Sequence, residues 1–441
     1  MTHPPPSARE RTAWCLFDFA NSSFTTVIIT VVFGRVFVDS IARDHPNPNM
    51  LWAVSIAVAN LISLVVGPVL GTWVDAGMGK RRPLLFSWAA CCVLTAALGC
   101  FGEGDATLAI IVVTAANLAF CLGENLIASF LPELAPPDKI GRLSARGWAT
   151  GYVGGLLALL LALFLVRDSR VAWVPAATAL FFFIGGLPTA IFLRDRGRVS
   201  QGPLPRISAA FDGLRKTWRD RKQYPDLGIL LLTLFLVQGG VSLVIGFSAL
   251  FARDAINMGN EEVIVLFIVI QIAAAVGAMI FGVYQDLRGS RAALFATTYL
   301  WIVATIISLS SGTALMNWIA SHVDVNNEDT TRRVARTAFW IGALLAGAAM
   351  GSSQSAGRAM VGVLSPPGRE AEWFGLWGVS TKASAFVSAL VLALLTTRFT
   401  LQTAMASTLV FFVAGLFALR NLDENRGRSA AGRLTSESVI P

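Results

Sequence analysis

Twelve stretches of this chain are each apolar over roughly the 20 residues that a helix needs to cross a hydrocarbon core about 30 Å thick, and that recurrence excludes most folds at once. Lipid offers the backbone no hydrogen bonds, so each stretch must satisfy its own amides and carbonyls as a helix or pair them in a closed barrel. Barrel strands alternate apolar and polar residues. These runs are apolar all round, so helices follow. The expected spans are 13–37, 50–73, 84–101, 108–130, 144–166 and 172–193, then 227–251, 263–284, 292–311, 335–361, 373–396 and 401–419. With 55% of 441 residues hydrophobic and 14% charged, the composition excludes a single soluble core.

The one long polar segment, 194–225, separates six spans from six. It carries nine Lys or Arg against Asp195, Asp212 and Asp220, which assigns it to the cytoplasmic side. The domain reading is therefore a first half at 1–193, a basic linker at 194–226, and a second half with its tail at 227–441. Within the linker Ile207, Phe211, Leu214 and Trp218 recur at helical spacing, which fits an amphipathic helix on the inner leaflet or a solvated connector. Basic residues elsewhere cluster at the ends of every second span. The loops and tails placed inside hold 24 of the 35 Lys and Arg, those placed outside 8. This asymmetry puts both termini in the cytoplasm and makes the net charge of +8 a topology signal rather than a nucleic-acid footprint.

The halves repeat. Gly71 and Asp75 recur 211 residues later as Gly282 and Asp286, each followed by glycine and basic residues. Leu134-Ala135-Pro136-Pro137 recurs 230 residues later as Leu364-Ser365-Pro366-Pro367, and the long outer loop 312–334 accounts for the difference. Six spans is an even number, so the repeat is parallel. The architecture expected is an all-α membrane protein of twelve transmembrane helices in two pseudo-symmetric six-helix bundles.

The Gly282, Asp286, Gly289, Arg291 pattern resembles the loop signature of the major facilitator superfamily. The first half departs from it, with Ala76 where a basic residue is usual and Gly77 and Gly79 flanking the place of one glycine. The first span, Trp14-Cys15-Leu16-Phe17-Asp18-Phe19-Ala20-Asn21-Ser22-Ser23-Phe24, is similar to the vacuolar-effluxer-like branch, as are Phe130-Leu131-Pro132-Glu133-Leu134 and Gly147-Trp148-Ala149-Thr150-Gly151-Tyr152. That resemblance implies a transporter. Fungal relatives export amino acids from the vacuole; bacterial relatives are largely unassigned, so the cargo does not transfer with it.

A charge inside a span costs about 2.5–3.5 kcal/mol at the helix centre and needs a partner or a wet cavity. Asp18, Glu124, Arg358 and Lys382 are such charges. In the superfamily the first, fourth, seventh and tenth spans line the central cavity, which places three of the four there; Lys382 is on the eleventh. Glu124 reads as a cavity carboxylate, for proton coupling or cation contact, or as half of a buried ion pair. Arg358 follows Ser352, Ser353, Gln354 and Ser355 and reads as a cavity residue or one snorkelling to the inner headgroups. Asp18 and Asn21 share a helix face, with Gln238 as a candidate partner across the cavity, and a gating role for Asp18 is the alternative. The offset of 230 sets Gln354 opposite Glu124 and Lys382 opposite Tyr152, unlike groups that suit an asymmetric polar cargo. Trp148 and Tyr152 are expected to pack the fifth span. Asp75 and Asp286, with Gly71, Gly282 and Arg291, are candidate gating residues that cap neighbouring helices or fix loop shape.

No cysteine pair has zinc or redox spacing, the three histidines lie in tails or loops, and no phosphate-binding loop is present, so no cofactor, metal or enzymatic site is expected. The run after Met1 to Arg11 reads as a retained first span. The partners expected are a small-molecule cargo, with a proton as candidate coupling ion, and membrane lipid; no nucleic acid and a monomeric state are expected. The competing reading is a transporter fold serving as a non-transporting scaffold or sensor.

Overall fold

The computed structural model describes residues 5–197, 206–254, 256, 258–312 and 328–433, and these are helical with no strands. Among them eleven helices are long and apolar enough to cross a membrane. The first six spans are Ala8–Ile41, Pro48–Met78, Arg81–Cys100, Ala106–Leu134, Ile140–Arg167 and Val171–Phe192. After the linker come the helices Pro225–Asp254, Asn260–Arg288, Ser290–Ser310, Glu328–Leu364 and Glu370–Thr396. The twelfth apolar run forms two shorter helices, Leu401–Ala406 and Thr408–Arg420. Most spans outrun their apolar windows. The first begins at Ala8 because Ser7 and Glu10 cap it reciprocally, the Ser7 hydroxyl accepting from the Glu10 amide and the Glu10 carboxylate from the Ser7 amide. The tenth begins inside the expected outer loop, at Glu328; 313–327 lie outside the described residues.

The pseudo-symmetry is legible bond by bond. In the first half the Arg81 amide donates to Asp195 and its guanidinium to the Ala190 carbonyl. In the second the Arg291 amide donates to Glu424 and its guanidinium to the Arg420 carbonyl. Likewise Arg196 pairs with Glu10 at 2.7 Å and Arg426 with Asp226 at 2.8 Å. The irregular first-half loop has a simple cause. Between Asp75 and Gly79 there is one residue more than between Asp286 and Gly289. The second span absorbs it by ending in a π-helical turn, Val74–Met78, in which Gly77 takes φ 122°. Gly79 and Gly289 then reach nearly the same left-handed conformation, φ 82° ψ 154° and φ 88° ψ 161°.

The linker forms a helix, Ile207–Asp220. It does not lie free on the bilayer. Its small-residue face, Ala210, Gly213 and Thr217, docks under the inner ends of the second and eleventh spans. The Thr72 hydroxyl donates to the Ala210 carbonyl at 2.9 Å, and the Thr217 hydroxyl donates to Glu372.

Candidate functional site

A cavity of about 350 Å³ lies between the halves. The first span contributes its polar wall. Past Ser23 the helix widens into π-helical turns, Phe24–Val31, which aim Thr25, Thr26 and Thr30 inward beside Asp18 and Asn21. Glu124, Tyr152, Gln271 and Gln354 add further polar groups to the lining. Asn21 Oδ1 and Trp148 Nε1 are buried on this wall without a hydrogen-bond partner.

Two cross-cavity contacts dominate. Glu124 of the fourth span lines the cavity and binds Lys382 of the eleventh at 2.9 Å, with side chains 25% and 19% exposed. The Tyr152 hydroxyl donates to Gln354 Oε1 at 3.0 Å. With the 230-residue offset, Gln354 is the counterpart of Glu124 and Lys382 of Tyr152. The two contacts are therefore the same contact in the two halves, ionic in one and neutral in the other.

At the inner end of the cavity Arg358 binds Asp18 at 2.7 Å. Its guanidinium also donates to the Ser144 carbonyl at 2.8 Å and hydroxyl at 3.2 Å. It lies over the rings of Trp14, 4.5 Å away, and Trp148, 5.3 Å away. Trp14 is fixed by donating Nε1 to the Ile127 carbonyl. Only 3% of Arg358 is exposed, so it does not snorkel; it lines the cavity and forms its floor. Two sequence expectations are corrected. Asp18 takes Arg358 rather than Gln238, which is absent from the cavity lining. Trp148 and Tyr152 serve the cavity instead of packing the fifth span. Breaking such a buried pair costs about 3–5 kcal/mol. The site depends on Gly147, where a methyl group would sit 2.6 Å from the Arg358 guanidinium and overlap Asp18.

Below the floor the halves meet twice, again in equivalent ways. Asp75 accepts from the Ala371 and Glu372 amides at 3.3 and 2.8 Å, capping the eleventh span. Asp286 accepts from the Arg142 amide at 3.3 Å and its guanidinium at 3.1 Å, capping the fifth. A carboxylate at a helix N-terminus contributes about 0.3–2 kcal/mol. A methyl at Gly71 would overlap the Ala371 carbonyl and one at Gly282 would overlap Ala145, so both glycines permit this approach. Arg291, grouped with the gate from sequence, braces the ninth span on the twelfth within its own half. Sequence reasoning missed Lys80, which is buried between Glu133 at 2.6 Å and Glu370 at 3.5 Å; Arg433 of the tail holds Glu370 at 2.9 Å. Burial works against the Lys80 ammonium, but Glu133 and Glu370 more than offset it and hold its pKa above the ordinary lysine value.

The family model of Atg22-like vacuole effluxers matches residues 50–432. The chain belongs to that family. It is 23% identical, over 94% of its length and 95% of the relative's, to the MFS-type transporter YxiO of Bacillus subtilis, itself described as uncharacterized. It is 25% identical to autophagy-related protein 22-1 of Penicillium rubens over 67% of this chain, and spans about half, 51%, of that fungal relative. Its fold is shared with the crystal structure of the human organic anion transporter MFSD10, at TM-score 0.74 and 16% identity, over 94% of this chain and 100% of the other. This Atg22-like chain is thus a multi-pass membrane protein with the major facilitator fold, a transporter rather than an enzyme.

Proposed function

We propose that the protein is a secondary transporter for a small zwitterion, with amino acids as the favoured class, working by alternating access. The halves 1–193 and 227–441 would rock about the cavity with 194–226 as the connector. The observation that carries the reading is the Glu124 and Lys382 pair. It sets a cavity-lining carboxylate 2.9 Å from an ammonium of the other half, the complement of a solute carrying the opposite groups at similar spacing. An entering zwitterion exchanges each partner for its own charge, so neither side chain is stranded. The doubly capped inner end and the buried Asp18 and Arg358 floor support an inward-closed state, with the cavity serving the opposite side. Asp18, Arg358, Asp75, Asp286, Gly71 and Gly282 are then gating residues, and Glu124, Lys382, Asn21 and Gln354 cargo residues. Glu124 is the candidate proton carrier, since neutralising it releases Lys382. The charge asymmetry of the loops supports a bacterial cytoplasmic membrane with both termini inside, and a single chain holds the whole cavity.

The test is thermal unfolding of the purified protein against amino acids, peptides, sugars and organic acids, because a ligand of the folded state raises its apparent stability. Zwitterions are expected to raise the midpoint, Lys382→Ala to erase the rise and Glu124→Gln to reduce it without erasing it; stabilisation by sugars alone would overturn the cargo class. In proteoliposomes Glu124→Gln is expected to abolish proton-driven uptake of the ligand so identified while exchange persists. Proton-driven uptake equal to wild type would remove Glu124 from coupling.

A further inference from the structure

The linker helix leaves an open groove of about 740 Å³ between itself and the inner ends of the seventh and eleventh spans. Phe211 and Leu214 line one side, Leu231, Trp373 and Leu376 the other, and Arg215 stands at the rim. Helical geometry sorts the linker helix into three stripes. Ala210, Gly213 and Thr217 pack against protein. Roughly a quarter turn round come Phe211, which is 55% exposed, and Leu214. Beyond these lie Arg215, Lys216 and Arg219, all exposed. The apolar wall is thus bordered by cations, the complement of a molecule with an apolar chain and an anionic head. The groove also has room at its base, for a Cβ added at Gly228 would meet nothing within 4 Å.

We infer that this groove binds one anionic phospholipid of the inner leaflet, its acyl chain along Leu231 and Leu376 and its phosphate at Arg215. The site has a consequence for the gate. The linker helix is held by Thr72 of the second span on one side and by Arg369 and Glu372 at the start of the eleventh on the other, and these belong to different halves. A lipid wedged behind the helix keeps it against both, and so favours the closed inner face.

The test is native mass spectrometry of the purified full-length chain after incubation with phosphatidylglycerol or phosphatidylcholine. Wild type is expected to retain one phosphatidylglycerol and little phosphatidylcholine. Gly228→Leu, whose side chain occupies the open space, is expected to lower retention at least about tenfold. Arg215→Gln, an exposed substitution that leaves the fold intact, is expected to lower it about fivefold and to remove the preference for the anionic lipid. Bound lipid is also expected to slow amide exchange across 207–220 in wild type. Equal retention of the two lipids by wild type, or retention in Arg215→Gln unchanged from wild type, would overturn the assignment, as would a folded Gly228→Leu that holds as much phosphatidylglycerol. None of these outcomes depends on transport.

Discussion

The two halves of this protein agree where they are fastened and disagree where they face solute. Arg81 and Arg291, Asp75 and Asp286, and the Glu10 and Asp226 ion pairs occupy equivalent places and make equivalent bonds. Across the cavity the same equivalence joins unlike chemistry: Glu124 with Lys382 on one side, Gln354 with Tyr152 on the other. A duplicated frame needs both copies of its fastenings, since rocking about a common axis loads them alike. Only one copy of a binding contact can be charged if the cargo itself is lopsided. The difference marks which residues answer to the fold and which to the solute.

Breaking the charged contact should have the largest effect. Lys382→Ala leaves Glu124 without its cation at the cavity wall, and is expected to lower uptake of the solute found by thermal screening on the order of a hundredfold. Gly147→Ala should come next. The added methyl displaces the Asp18 and Arg358 floor, and overpacking of this kind costs about 1–3 kcal/mol, read as a lower unfolding midpoint. The caps should differ between halves: Asp75→Ala is expected to cost about 1–2 kcal/mol and Asp286→Ala less than about 1 kcal/mol. Alkylation of Cys15, in a background without the other four cysteines, reports both as faster labelling from the inner face, and equal rates would contradict the inequality. The smallest effect is expected from Tyr152→Phe, which removes a neutral hydrogen bond worth about 0.5–1.5 kcal/mol. If Tyr152→Phe impaired uptake as much as Lys382→Ala, the division between charged and neutral contacts would fail.

Much of this was readable from the residues. Apolar length gives the spans and two offsets give the repeat, because each depends on local composition or on counting. The offset of 230 already set Gln354 opposite Glu124 and Lys382 opposite Tyr152, and the step from there to the cross-cavity contacts needed only the two-fold relation between the halves. Other features were hidden for physical reasons. Four intramembrane charges can pair in several ways, and Asp18 chooses Arg358 because Gly147 and Ser144 on the fifth span make room for the guanidinium and bind it. The π-helical turn at Val74–Met78 follows from one residue too many, which a count reveals only when the second loop is laid beside the first. The linker helix showed its bulky stripe in the sequence, but it docks through small residues that carry no periodic hydrophobic signal.

In register with Gly79 and Gly289, Lys80 stands where the second half has Ser290. Lys80 is locked among Glu133 and Glu370, with side chains 5–10% exposed, while Ser290 only accepts a hydrogen bond from Gln285 and the neighbouring Arg142 is 48% exposed. A seam riveted along one edge and merely buttoned along the other tears from the buttoned edge. Entry of water from the cytoplasm should therefore begin between the fifth and eighth spans and reach the Ser144 side of the Arg358 guanidinium first, with the second and eleventh spans acting as the spine on which the molecule turns.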